Sequence, residues 1–254
     1  MSHNNRTLLA ETAALAGELM LTSGAETYRA ETTMIHILRK GTNANVTSLA
    51  LTTSIMITIE DHDMQPLTII RRIYGRSMNL ARITMVNEIS RKFCSDMLTL
   101  EEAYEQLQNL PSSIYSRKWH ALSLIGVAIG FTLFFGGSFL DVIATLITGS
   151  VLAGTLLMCK RISLGGFAIN CMSSIGLALT CMLLKYTIFP TIDSDIVIIG
   201  SIMPLVPGVA VTNAIRDTLQ GDYISGSARI LEAFVTAAAI AIGVGLGMLP
   251  YHFL

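Results

Sequence analysis

The chain has 254 residues, of which 52% are hydrophobic and only 14% charged, and its mean hydropathy is +0.58. That composition belongs to the membrane rather than to a soluble globular protein. A formal net charge of -1 supplies no basic surplus for a phosphate backbone, which argues against a nucleic-acid partner.

Charge is unevenly spread, with 12 Lys/Arg and 12 Asp/Glu in residues 1–118 against 5 and 6 in residues 119–254, so a polar N-terminal domain is expected to meet a membrane domain near Lys118. The opening stretch reads as no secretory signal, because Glu11 and Glu18 interrupt its apolar run. Residues 6–21 place Leu8, Leu9, Thr12, Leu15, Ala16 and Leu19 on one stripe and predict an amphipathic helix. A second helix is expected over about 24–40, opened by a Ser23-x-x-Glu26 capping box and closed at Gly41. Ser23, Glu26, Tyr28, Arg29 and Glu31 form a polar cluster there that either binds something or only caps the helix. Residues 45–60 are rich in Thr and Ile with alternation, and predict one or two strands. Asp61-His62-Asp63 marks a turn, and residues 66–74 a further strand. Helices follow at 79–94 and 99–110, the second opened by a Thr99-x-x-Glu102 box, and the order makes residues 1–118 a small α+β domain.

From Trp119 onward five apolar runs approach the roughly 20 residues that cross a bilayer: about 119–137, 140–158, 166–187, 194–213 and 230–250. Arg117/Lys118, Lys160/Arg161 and Arg216 with Arg229 all fall on one side of this arrangement, and only Lys185 falls on the other. The positive-inside rule then puts residues 1–118 and the N-terminus in the cytoplasm and the C-terminus outside. Glycines and alanines in these runs suit close helix packing in lipid. Asp141 and Asn170, at the starts of the second and third runs, read either as interfacial caps or as ligands.

The fourth run is different, because Pro204 and Pro207 each remove a backbone donor and Gly208 tolerates an unwound segment. A broken helix at membrane depth exposes backbone groups where a substrate can use them, so Pro204, Pro207 and Gly208 are the leading candidate substrate site, beside the plainer reading of a proline kink with no ligand. Asn213, Arg216 and Asp217 share one helical face just beyond, and Arg229 and Glu232 stand three apart on the next helix. These residues make either a gate whose arginines meet a substrate carboxylate or a set of structural ion pairs, and Glu232 is a candidate proton carrier. Cys94, Cys159, Cys171 and Cys181 have no metal-ligand or disulfide spacing, and no nucleophile elbow, P-loop or dinucleotide fingerprint occurs, so neither a metal nor another cofactor is expected.

The runs SGAETYRAE at 23–31, VNEISR at 86–91, MPLVPG and TNAIRD within 203–217, and GDYISGSARILEA at 221–233 together resemble the threonine/serine exporter family, and the length resembles the larger subunit of its split, two-component form. The resemblance covers nearly the whole chain. It implies a bacterial or archaeal inner-membrane exporter of threonine, serine or dicarboxylates such as succinate, coupled to the proton motive force and not an enzyme. It also implies a smaller membrane partner, since single-chain members carry about twice as many spans, an arrangement that suits a site between two repeats. Carried over by motif, the residues at stake are Ser23, Gly24, Glu26, Tyr28, Arg29, Asn87, Arg91, Pro204, Pro207, Gly208, Asn213, Arg216, Asp217, Gly226 and Arg229. Two other readings stay open beside it: a membrane-anchored hydrolase, and a metabolite-sensing regulatory module in residues 1–118.

Overall fold

The computed structural model describes residues 3–61, 64–112, 115–162 and 164–252. Ten α-helices and one three-stranded sheet appear among them. They divide into two compact units, Met1–Ile114 with Val211–Ile230, and Tyr115–Ala210 with Leu231–Leu254.

In the first unit, α1 (His3–Thr22) is the central element, touching α2 (Thr27–Gly41), α3 (Leu80–Cys94), α4 (Leu100–Gln108) and two strands. The one-stripe expectation is therefore corrected. Leu9, Ala10, Ala13, Ala14, Ala16, Met20 and Leu21 are all buried, which covers nearly every face. Its polar side chains find partners instead of solvent: Thr12 donates to Leu8 O at 2.7 Å, buried Arg6 donates to Ile59 O at 2.8 Å, and Glu11 and Glu18 both grip Arg71. Gly17 lets α2 cross closely, since a Cβ there would stand 2.4 Å from Met34 Sδ.

The strands β1 (Asn45–Leu51), β2 (Ser54–Asp61) and β3 (Met64–Arg72) form an antiparallel meander. Pleat alternation sends Ile55, Ile57 and Ile59 into the core. Among the hydroxyls that diluted this stretch, Thr58 lies on the other face and pairs with Thr47 and Thr68 in register, while Ser48 stands opposite Ile57 on the core side. The expected turn at His62–Asp63 lies outside the described residues. Asn79 caps α3 by accepting from Arg82 N at 3.1 Å, and the Thr99/Glu102 capping box of α4 is present in both directions.

The second unit is a bundle of apolar helices. α6 (Phe139–Arg161) and α7 (Gly166–Thr187) coincide closely with the second and third expected runs, and α10 (Tyr223–Met248) begins before the fifth. α5 (Arg117–Phe134) ends before Gly136, whose φ of +84° ends the first run early. Among the described residues three helices are long and apolar enough to cross a membrane, with a fourth span if the bent pair α8 (Ser194–Ile202) and α9 (Gly208–Leu219) counts as one, and the shorter apolar Lys118–Phe134 lies beside them. Hydroxyl pairs stitch the bundle internally: Thr132 to Thr145 at 2.8 Å and Thr148 to Ser201 at 2.7 Å. Asp141 acts as a cap, accepting from Ser138 N at 2.7 Å and from Asp193 N at 2.8 Å. Lys185 donates to Ser194 Oγ at 2.9 Å.

Candidate functional site

The turn between α1 and α2 is built by Gly24, whose φ of +85° any side chain would strain. The chain there leaves α1 through Ala25 N, which donates to Met20 O at 3.0 Å, and enters α2 at Thr27. The Ser23/Glu26 capping box is corrected by this geometry. Glu26 itself occupies the N-cap position and makes no side-chain cap bond, and Ser23 Oγ is buried without a hydrogen-bond partner among the described residues. The Glu26 carboxylate is taken by cations instead, one oxygen by Arg216 and the other by Arg29 at 3.4 Å.

The cap comes from 190 positions away. Asp217 Oδ1 accepts from Thr27 Oγ1 at 3.0 Å and more loosely from Thr27 N at 3.4 Å, so a carboxylate sits at the positive end of α2. Neighbouring groups complete the grip: Asn213 Nδ2 donates to Gly24 O at 3.0 Å, and Arg229 Nη2 donates to Ala25 O at 2.6 Å. Arg229 Nε stands 2.9 Å from Asp217 Oδ2, an ion pair by distance although the N–H is not aligned for a hydrogen bond. Both partners are deeply buried, at 5% and 0% exposure of their side chains.

Asn213, Arg216 and Asp217 thus share one face of α9, as their spacing predicts, and Arg229 reaches them from α10. The two helices close because residue 226 is glycine, where a Cβ would meet Ala214 O at 3.1 Å and Thr218 Oγ1 at 2.2 Å. Asp222 caps the start of α10 by accepting from Ser225 N at 3.1 Å. Two groups of candidate residues separated by almost two hundred positions therefore form one polar latch, with Thr27 and the carbonyls of Gly24 and Ala25 as members that residue type alone does not flag.

The remaining candidates go elsewhere. Glu31 accepts from Ala50 N at 2.7 Å and ties α2 to the sheet, while Tyr28 is half-buried on α2. Burial lifts the Glu31 carboxyl above its ordinary value, opposed by the Ala50 amide and helped by the negative charge of Asp222. Burial also pushes the Glu26 carboxyl up, but a backbone hydrogen bond, Arg29 and Arg216 together outweigh it and hold the group below its ordinary value. Asn87 and Arg91 line a groove of about 450 Å³ with Arg29. Pro204, Pro207, Gly208 and Glu232 belong to the second unit. There α8 ends in a 3-10 turn, Met203–Leu205, and α9 starts at Gly208 with a 54° change of direction. Glu232 is exposed on α10.

Long apolar helices, with a bent pair interrupted at paired prolines beside them, make this a multi-pass membrane protein. The chain belongs to the ThrE family of threonine/serine exporters, whose profile matches residues 11–250. It is 24% identical over 230 residues to a protein of Mycobacterium tuberculosis (strain ATCC 25618 / H37Rv) named "Probable threonine/serine exporter". That match takes in 89% of this chain and 43% of the relative, so the chain spans less than half the length of the curated relative it matches. No solved structure matches it.

Proposed function

We propose that this chain is the larger subunit of a two-component, secondary-active exporter in the bacterial inner membrane. It moves a small carboxylate-bearing metabolite outward, with succinate, threonine and serine as the substrates to test. The observation that carries this reading is the 54° break between α8 and α9, where Pro204, Pro207 and Gly208 interrupt an otherwise apolar span. Backbone groups freed there offer hydrogen bonds at membrane depth, and the start of α9 offers partial positive charge to an anion. In this reading the bent pair counts as one span and α5 as another, because Lys118–Phe134 rises about 26 Å against roughly 30 Å of hydrocarbon. Five spans put residues 1–118 in the cytoplasm and the C-terminus outside, in keeping with the Lys/Arg distribution.

In this reading a smaller membrane protein of the same family supplies the rest of the transport path, which suits a site between two repeats. Asn213, Arg216, Asp217 and Arg229 then form the cytoplasmic gate: the latch on residues 24–27 holds α9 in place, and a substrate carboxylate that draws Arg216 from Glu26 loosens it. Glu232 remains a proposed proton carrier.

Efflux of labelled succinate, threonine and serine from preloaded cells tests the reading. Export is expected only when this chain and the smaller family member are expressed together, and Arg216→Ala is expected to lower it severalfold while the protein stays in the membrane. Export by this chain alone would overturn the two-component assignment. No export of any of the three by the pair would overturn the exporter reading for these substrates.

A further inference from the structure

Between β3 and α3 the chain presents a surface that the latch does not use. Residues 74–80 leave three large apolar side chains in the open, Tyr74 at 81% exposure, Leu80 at 68% and Met78 at 47%. The backbone beneath them is nonetheless pinned. Buried Ile73 donates from its amide to Thr53 O at 2.9 Å, Ser77 N donates to Thr22 O at 2.9 Å, and Asn79 N donates to Ser23 O at 3.0 Å. Apolar exposure on a held backbone marks a contact surface. Its charge is of one sign: from Met64 to Asn87 the chain carries Arg71, Arg72, Arg76 and Arg82 and no acidic residue. Glu11 and Glu18 take Arg71, whereas among the described residues no ion pair or side-chain hydrogen bond engages Arg72 or Arg82. The neighbours of this segment lead directly into apolar helices. Asn79 Nδ2 donates to Ser112 O at 3.1 Å, and Ser112 stands five residues before the start of α5 at Arg117. Met78 lies against Gly24, where a Cβ would stand 2.9 Å from its Cε, and Gly24 O is the acceptor of Asn213 on α9. The adjoining Ala25 O takes Arg229 of α10, a helix that continues into the apolar run Tyr223–Tyr251.

We propose that residues 74–80, with Arg72 and Arg82 beside them, form a lipid-contacting surface that lays the first unit against the headgroups of an anionic bilayer. Tyr74 combines an apolar ring with a polar tip, the form suited to the headgroup level, and Met78 and Leu80 supply apolar area for the layer just beneath. The planar guanidinium groups of Arg72 and Arg82 suit lipid phosphates, and a segment without carboxylates repels none of them. What selects a bilayer as the occupant is continuity: the segment is bonded both to the linker that precedes α5 and to the turn gripped by α9 and α10. The surface goes beyond the exporter reading. It needs neither a substrate, a partner subunit nor an ion gradient, so failure of that reading leaves the measurement intact.

The test is tryptophan quenching in the full chain, reconstituted in nanodiscs that contain phosphatidylcholine brominated on its acyl chains. Trp119 is the single tryptophan, so Tyr74→Trp is made in a Trp119→Phe background, with Leu80→Trp as an independent probe and Met97→Trp, exposed beyond the other end of α3, as the control. Bromolipid is expected to quench the probes at 74 and 80 severalfold more than the one at 97, since the 15 residues of α3 rise about 22 Å between its ends. Adding phosphatidylglycerol at constant bromolipid should increase quenching at 74, and Arg72→Gln combined with Arg82→Gln should abolish that increase. Thermal melting checks that each variant is folded. Quenching at both 74 and 80 no stronger than at 97 overturns the surface. Shielding of both from bromolipid and from aqueous acrylamide alike would reveal a protein cover, a second copy or another chain, and overturns lipid as the occupant. No response to phosphatidylglycerol, or one that persists in the double arginine variant, overturns the role of the arginines.

Discussion

The two units are both mainly helical, yet different forces hold them together. The first closes around large buried side chains such as Leu9, Met20, Leu21, Met34 and Ile57, and spends its charged residues on ion pairs that cross between elements: Arg71 on Glu11 and Glu18, Arg216 on Glu26, Arg229 on Asp217. The second has few charges and exposes its large apolar side chains, with Phe134, Phe139 and Phe234 each at least 70% accessible. There the hydrophobic effect drives no helix association once lipid replaces water. Its helices meet through small residues and buried hydroxyl pairs, as where Gly200 packs on Thr132. The lesson is that charge pairs specify contacts in the first unit and absent side chains specify them in the second.

The sharpest way to break that contrast is Asp217→Asn. It removes the carboxylate charge 2.9 Å from the buried Arg229 guanidinium, and a loss of about 3–5 kcal/mol is expected in thermal or denaturant melting of the full chain. The double change with Arg229→Gln should cost clearly less than the two single changes summed. A loss from Asp217→Asn no larger than about 1 kcal/mol, the range of exposed pairs, would mean that the latch is solvated.

The next test is a matched pair of glycines in the second unit. A Cβ on Gly200 would stand 2.1 Å from Thr132 Oγ1 and 3.0 Å from Thr132 N, and that hydroxyl is already bonded to Thr145. Gly200→Ala should therefore lower the melting temperature, by the equivalent of about 1–3 kcal/mol for overpacking. Gly154→Ala meets nothing within 4 Å and should be neutral, or stabilising by up to about 1 kcal/mol through helix propensity. Equal effects at both positions would remove close packing as what holds this unit together.

The smallest expected effect is in the pH dependence. Glu26 has a lowered folded-state value, so its contribution is present above its ordinary 4.5 and is lost as pH falls from there through the folded value. Glu31 is raised, so its contribution is present below 4.5 and is lost as pH rises through the folded value. Glu26→Gln should flatten the acid limb of the stability curve, and Glu31→Gln should change the slope in the opposite sense. Because Arg29 and Arg216 are about half exposed, a difference on the order of a few tenths of a kcal/mol is expected for Glu26. Slopes of the same sign in the two variants would overturn the assignment of opposing environments.

Two identical-looking motifs show where sequence reasoning succeeds and where it stops. Thr99-x-x-Glu102 forms its capping box because Glu102 is exposed and, among the described residues, meets no competing cation. Ser23-x-x-Glu26 has the same spacing and does not, because two arginines take the carboxylate and Asp217 serves the helix start instead. Local pattern decides only when no distant charge competes. The one-face reading of α1 fails for a related reason: periodicity reports which residues are apolar, while the number of neighbours around a helix is set by the whole fold.

By itself the sequence determined the apolar runs, the break at Pro204 to Gly208, the alternation of the strands and the shared face of Asn213, Arg216 and Asp217, because each follows from hydropathy, backbone restriction or helical period within a short window. Only the tertiary structure decided that this face closes on residues 24–27, that α1 is enclosed, and that Arg29 and Arg91 line one groove. Those contacts join positions far apart in the chain, and the choice among competing ionic partners is made by burial and distance, which no local pattern carries.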